Sequence, residues 1–176
     1  MNDDRRRWVM EEAIVEAAHS QSEDTRIHPK VGALLVTRDL EVVARAHRNE
    51  IAQCNPHGAG GDHAERILLF KAEQLSLPVA ELILVVTLEP CTWRPRGTKV
   101  PCAQRVRLSG IRELWFGTLD PDPAIRGVGE ETLRRSGITV ERFPNDLIHI
   151  VRKQSATFVE QFAPYYQQGE RRTATN

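Results

Sequence analysis

The sequence predicts a single α/β domain spanning 1–176, built on a five-stranded mixed sheet, and three observations predict it. Helical and strand-like patterns alternate along the 176 residues with no internal repeat and no low-complexity linker, an order that builds layered α/β folds. Two short β-prone runs, 31–37 and 41–46, are joined at Arg38-Asp39-Leu40, a spacing that suits an antiparallel hairpin. Towards the other end, a strand-helix-strand order over 114–140 needs a crossover, which makes those last two strands parallel. A chain of this length suits one domain, since domains commonly run to ~100 to 200 residues, and leaves no room for a second catalytic one.

Each element has its own local reason. Val9, Met10, Ala13, Ile14, Ala17 and Ala18 recur four residues apart and define one face of a first helix over about 5–20, which should pack on the sheet. A Gly-rich loop over 55–61 follows the hairpin, and a helical pattern begins at His63. The run 82–88 is almost unbroken in its apolar character, which places it in the centre of a sheet covered on both faces. Pro101 fits the first turn of the next helix, Gly110 its C-terminal stop, and 114–117 the strand after it. Asp120-Pro121-Asp122-Pro123 then breaks the chain, 130–136 forms a short helix closed by Gly137, and 138–140 is the last strand. Leu147, Ile148, Val151, Phe158, Val159 and Phe162 keep helical spacing from about Asn145 to about residue 163, where Pro164 ends it.

Lys plus Arg and Asp plus Glu both number 24, so no global basic field draws the chain to nucleic acid or to anionic lipid, and neither partner is expected. No apolar run reaches signal-peptide length at the start or the ~20 residues of a membrane span anywhere, so a cytoplasmic protein is expected. In a reducing compartment, the three cysteines Cys54, Cys91 and Cys102 point away from disulfides and towards metal binding or catalysis.

The chemistry concentrates in His63-Ala64-Glu65, Glu89-Pro90-Cys91 and Pro101-Cys102. One histidine and two cysteines fill three sides of a tetrahedral zinc site, and three protein ligands with an open fourth position mark a catalytic zinc. Cys102 in the first turn of a helix, and Cys91 after a buried strand where a helix can start, would both be held as thiolates by unpaired backbone amides. Two thiolates balance the charge of Zn²⁺, so a nearby carboxylate can take a proton from water without a strong competing ion pair, and Glu65 is the candidate. Asp62-His63-Ala64-Glu65 also reads as a capping pattern in which Asp62 caps the helix and Glu65 reaches back as a local stabiliser, and both readings stay open. Positions two apart on a helix face different ways, so His63 and Glu65 converge on a metal only if His63 precedes the helical turn. Cys54 has no partner pattern and reads as a small buried hydrophobe or a loop residue.

On these residues the chain resembles the cytidine-deaminase superfamily, whose H-x-E, P-C and second-cysteine signature is established for zinc deaminases. Within it, the chain is most similar to the deaminase domain of the bifunctional riboflavin-biosynthesis enzymes, through P-x-V-G-A at 29–33, H-A-E at 63–65, V-T-L-E-P-C at 86–91, P-C at 101–102, and a D-P-x-P, G-x-G, L-x-x-x-G-I-x-V tail over 120–140. The resemblance implies a three-layer α/β/α sandwich, zinc held by His63, Cys91 and Cys102, and Glu65 as proton shuttle. It implies hydrolysis of an exocyclic amine on a pyrimidine-like ring to a carbonyl with loss of ammonia. It further implies a small phosphorylated substrate such as the ribosylaminopyrimidine phosphate of riboflavin biosynthesis and a homodimer or larger homo-oligomer; unlike the bifunctional enzymes, the chain is expected to carry no reductase domain after residue 140, only the terminal helix.

Besides Asp122 in place of the family's asparagine and a longer connection from His47 to His63, the chain departs from that family at two candidate substrate contacts. His28 stands where the family has asparagine before the P-x-V-G segment, and either binds the base or packs. The stretch between the two cysteines is two residues longer than in the family and places Trp93 where the family has histidine, with Arg94, Arg96 and Lys99 beside it. These side chains read as a stacking face and a phosphate site, or as a solvated loop. His47 matches the histidine that ends strand two in the family, and the backbone amides near Ala64 and Cys91 can receive polar substrate atoms. His19, His57 and His149 carry no such spacing. The alternatives are a nucleoside, nucleotide or secondary-metabolite deaminase on the same scaffold, and a non-catalytic, zinc-stabilised binding module.

Overall fold

The computed structural model describes residues 3–22, 25–50, 62–93 and 100–165. In chain order the elements are α1 (Asp3–Ala18), β1 (Gly32–Val36), β2 (Val42–His47), α2 (Ala64–Gln74), β3 (Ile83–Leu88), α3 (Cys102–Ser109), β4 (Glu113–Thr118), α4 (Val128–Arg135), β5 (Thr139–Arg142), α5 (Asn145–Gln154) and α6 (Ala156–Glu160). The strands form one sheet in the order β2-β1-β3-β4-β5. β1 is antiparallel to both β2 and β3, while β3, β4 and β5 run parallel. The expected hairpin and parallel final pair are both present.

The period-two alternation of the strands divides the core between two faces. Ala33, Leu35, Leu84, Val86, Leu114, Phe116 and Val140 point to one side, where α2, α3 and α4 cover them with Leu68, Val106 and Leu133. Leu34, Val36, Ile83, Val85 and Trp115 point to the other side, against Val9, Ala13 and Ile14 of α1 and Leu147 and Val151 of α5. The result is a three-layer α/β/α sandwich. It explains why β3 needs no polar face, since both of its sides are dry.

Several boundaries differ from the sequence expectation for identifiable reasons. The inward face of α1 includes Glu16 and leaves Ala18 exposed, because the Glu16 carboxylate lies 2.7 Å from His47 Nδ1 and is drawn inward. A short 3-10 turn, Val79–Glu81, precedes β3 without a sequence signal. The single helix expected over 145–163 is two helices, α5 and α6, broken at Ser155. There the backbone leaves helical geometry (φ −113°, ψ 28°) and the hydroxyl accepts the amide of Lys30 at 3.0 Å, a tertiary bond that no helical periodicity encodes.

Gly32 sets the spacing of the α1 layer. A Cβ there would lie 2.3 Å from the Ala13 carbonyl oxygen and 2.4 Å from the Ala17 amide nitrogen, so α1 crosses β1 backbone to backbone. Gly32→Ala should therefore lift α1 from the sheet and lower stability by about 1–3 kcal/mol, the usual cost of overpacking. Urea unfolding with an unchanged midpoint would contradict this contact.

Candidate active site

The parallel strands β3 and β4 end on the same edge of the sheet, where ligands of open α/β sheets bind. β1 begins and β2 ends on that edge, since Gly32 faces His47 across the hairpin and the Gly32 amide donates to Thr87 Oγ1 at 3.1 Å. α2 and α3 start there, with Cys102 as the first residue of α3, Pro101 immediately before it and Gly110 closing it in the left-handed region at φ 86°.

His63 is the N-cap of α2, in extended conformation (φ −74°, ψ 150°). Its ring therefore departs before the first helical turn, which meets the condition for His63 and Glu65 to approach one centre. Asp62 is not the helix cap expected from the capping pattern. The helix starts one residue later, the Asp62 carboxylate pairs with Arg66, and its carbonyl accepts the Asn49 amide at 2.8 Å. Glu65, in the first turn of α2, is only 3% exposed.

Residues distant in sequence meet here. His63 Nδ1 lies 3.5 Å from Cys91 Sγ and 3.5 Å from Cys102 Sγ, and all three donor atoms lie within 4.8 Å of one another. Zn–S bonds of about 2.3 Å and a Zn–N bond of about 2.0 Å at a tetrahedral angle would separate nitrogen from sulfur by about 3.5 Å. The donor set and its spacing thus fit a tetrahedral metal. The Cys102 amide also points at Cys91 Sγ from 3.5 Å. The Cys91 thiol is lowered to about 3, chiefly by its hydrogen bond with the Cys102 side chain and further by the hydrogen bond and charge of His63, against burial, which raises it. Contrary to expectation, Cys91 starts no helix in the described residues. It sits in an irregular segment whose carbonyl accepts the Ala103 amide of α3 at 3.0 Å.

The segment bearing Cys91 is held by Glu89, a residue to which the motif alone assigned no role. Its buried carboxylate accepts the amides of Asp120 (3.1 Å), Gly127 (2.9 Å) and Glu130 (3.0 Å), tying the end of β3 to the end of β4 and the start of α4. Gly129 lets α4 close in, since a Cβ there would stand 2.2 Å from the Pro90 carbonyl oxygen. Asp120 is pushed up to about 6, first by burial, with the charges of Asp122, Glu89 and Cys91 adding and the Asp122 amide opposing.

The other candidates are distributed around this edge. His47 is held through Nδ1 by Glu16 and lies beside the exposed ring of His19, with centroids 5.8 Å apart. His28 is half-buried, its Nδ1 3.1 Å from Arg48 Nη2. Ala64 is fully buried at the start of α2, Trp93 is 62% exposed, and His149 is exposed. Arg94, Arg96, Lys99, Cys54 and His57 lie outside the described residues. Sequence reasoning missed Arg48 and Glu89. The only signal for either was a charged residue adjoining a motif and flanked by apolar strand, where burial demands a specific partner.

The sandwich and its His/Cys/Cys cluster define a cytidine-deaminase-like domain. Residues 3–118 match the family described as the cytidine and deoxycytidylate deaminase zinc-binding region, and the chain belongs to that family. Among individual relatives, it is 35% identical over 117 residues to the riboflavin biosynthesis protein RibD of Aquifex aeolicus, covering 66% of this chain and 29% of that protein. It is also 35% identical over 117 residues to RibD of Actinobacillus pleuropneumoniae, of which it spans 27%. The solved Thermotoga maritima diaminohydroxyphosphoribosylaminopyrimidine deaminase/5-amino-6-(5-phosphoribosylamino)uracil reductase superposes with a TM-score of 0.72 at 30% identity, over 90% of this chain and 42% of that one. The dCMP deaminase of cyanophage S-TIM5 shares the fold, with a TM-score of 0.60 at 20% identity over 81% of this chain and 100% of that one. The chain thus spans less than a third of the curated relatives named here. No helix of the described residues is long and apolar enough to cross a membrane.

Glu89→Gln should lower stability by about 2–4 kcal/mol, because the amide group must turn an N–H towards at least one of the three backbone donors and leave it buried without an acceptor. Denaturant unfolding against the wild type measures the loss, and a neutral result would mean that the clamp is dispensable.

Proposed function

We propose that the protein is a zinc-dependent aminohydrolase acting on a pyrimidine-like heterocycle, with the ribosylaminopyrimidine phosphate of riboflavin biosynthesis as the leading substrate. The observation that carries this reading is the meeting of three metal-type donors, His63 Nδ1, Cys91 Sγ and Cys102 Sγ, at tetrahedral spacing, with the buried Glu65 two residues after His63 in the first turn of α2. Membership of the deaminase family and the 30–35% identity to RibD proteins support the substrate class.

His63, Cys91 and Cys102 would hold the zinc. When bound, the metal supplies the Lewis acidity that lets a water ionise near neutral pH. Glu65 accepts the proton released by that water, delivers it to the ring nitrogen beside the reacting carbon, and then carries the proton of the newly added hydroxyl to the exocyclic amine. A carbon–oxygen bond forms, the carbon–nitrogen bond breaks, and ammonia leaves a ring carbonyl behind. Burial keeps the Glu65 carboxylate out of bulk water, so protons pass between substrate and carboxylate instead of being lost to solvent. The Ala64 amide, at the start of α2, lies where a helix terminus receives polar substrate atoms. His28 and His47 would contact the base, Trp93 would stack on it, and Arg94, Arg96 and Lys99 would bind a phosphate.

His28 and the longer stretch between the cysteines favour, as a second reading, a nucleoside, nucleotide or secondary-metabolite deaminase on the same scaffold. A panel of phosphorylated and unphosphorylated aminopyrimidines, scored by ammonia release, separates the two.

Cys91→Ala and Cys102→Ala should each lose zinc and much of the fold's stability, whereas Cys54→Ala should keep both. Metal analysis of the purified proteins checks this, and full occupancy in both ligand variants would overturn the site. Glu65→Gln should retain zinc while turnover falls by at least ~10²-fold, the lower range for a lost general acid or base. Near-normal ammonia release from zinc-loaded Glu65→Gln would reduce Glu65 to a helix stabiliser.

A further inference from the structure

Arg48 follows the last residue of β2 and is only 6% exposed. Its backbone is clamped between two parts of the active-site edge. The Arg48 amide donates to the Val31 carbonyl at 2.8 Å, in the segment that leads from His28 into β1. The next amide, of Asn49, donates to the Asp62 carbonyl at 2.8 Å, one residue before His63. From this position the guanidinium Nη2 reaches His28 Nδ1 at 3.1 Å.

A guanidinium carries only N–H donors and no acceptor. The ring nitrogen beside it must therefore accept, so the lone pair of His28 is on Nδ1 and its hydrogen is on Nε2. The opposite tautomer would set N–H against N–H, and a protonated ring would add a second positive charge at the same distance.

We propose that Arg48 locks His28 as the neutral Nε2–H tautomer, so that His28 offers the substrate ring one fixed donor and Arg48 acts as a positioning residue for substrate specificity. This rests on the reading of the site as a heterocycle deaminase. A donor of fixed sense selects a carbonyl oxygen or a bare ring nitrogen at the facing position. It rejects an amino group there, because two donors would meet in a half-buried site. An asparagine or glutamine can flip its amide to suit either partner, whereas a histidine held by a guanidinium cannot.

The test has two arms on the zinc-loaded full chain. In the first, ¹⁵N-labelled histidine and long-range ¹H–¹⁵N spectra should show a pyridine-type Nδ1 and a protonated Nε2 for His28, assigned by the signal lost in His28→Gln. Arg48→Met should release the ring into a mixture of tautomers. In the second arm, Arg48→Met should raise KM for the aminopyrimidine that the wild type deaminates by about tenfold with a smaller change in kcat, the effect of one mispositioned hydrogen bond. In a His28→Phe background the same substitution should add nothing. An Nδ1–H tautomer in the wild type overturns the proposal, as does an Arg48→Met effect on KM of equal size in both backgrounds. Should Arg48→Met fail to fold, Arg48→Lys supplies the kinetic comparison, and the wild-type spectrum decides the tautomer alone. A wild type that deaminates no heterocycle would defeat the functional reading while the spectra still decide the Arg48–His28 pair.

Discussion

The buried carboxylate of Glu89 is the constraint on which the site depends. Three backbone amides from two separate segments converge on its two oxygens, and each is a donor that the dry interior would otherwise leave costly. Because Glu89 stands two residues before Cys91, this arrangement fixes where the chain leaves β3. The close approach of Gly129 to Pro90 removes what slack remains. The sulfur of Cys91 is thus aimed by hydrogen bonds to atoms 31 to 41 residues further along the chain.

Electrostatics then favour a metal over a simple thiol pair. α3 presents its N-terminus to the two sulfurs, with the Cys102 amide facing Cys91 Sγ, and the positive end of the peptide dipoles stabilises thiolate there. The Cys91 thiol is lowered chiefly by its side-chain hydrogen bond with Cys102, then by His63, and to the smallest extent by the Cys102 amide. Two thiolates and a neutral imidazole would balance a divalent ion, so that a metal held there would carry little net charge.

The two halves of the edge differ in how closely they follow the family. The half that carries the three metal-type donors, built from the starts of α2 and α3 and the end of β3, keeps the H-A-E and P-C motifs intact. The hairpin half carries His28, Arg48, His47 and Glu16, linked as two histidine pairs, one with a guanidinium and one with a carboxylate. A carboxylate accepts and a guanidinium donates, so the two imidazoles are held in opposite senses at Nδ1.

The sequence by itself determined the element types, the hairpin, the dry central strand and the positions of the three donors, His63, Cys91 and Cys102, that meet in the structure. Each of these is written in a local period or a short motif: alternation in β1, continuous apolar character in β3, and H-A-E, P-C and P-C at strand and helix ends. It left open whether His63 and Glu65 share a centre, because that depends on one residue of helix phase at the start of α2. Only the tertiary structure decided that phase, by ending the extended backbone at His63 while Asp62 turned to Arg66 and to the Asn49 amide. The break at Ser155, the inward turn of Glu16, the Glu89 clamp and the Arg48–His28 pair were likewise invisible. Each depends on a hydrogen bond between residues at least 20 positions apart, and such a bond is specified by how the layers pack and not by any local pattern along the chain.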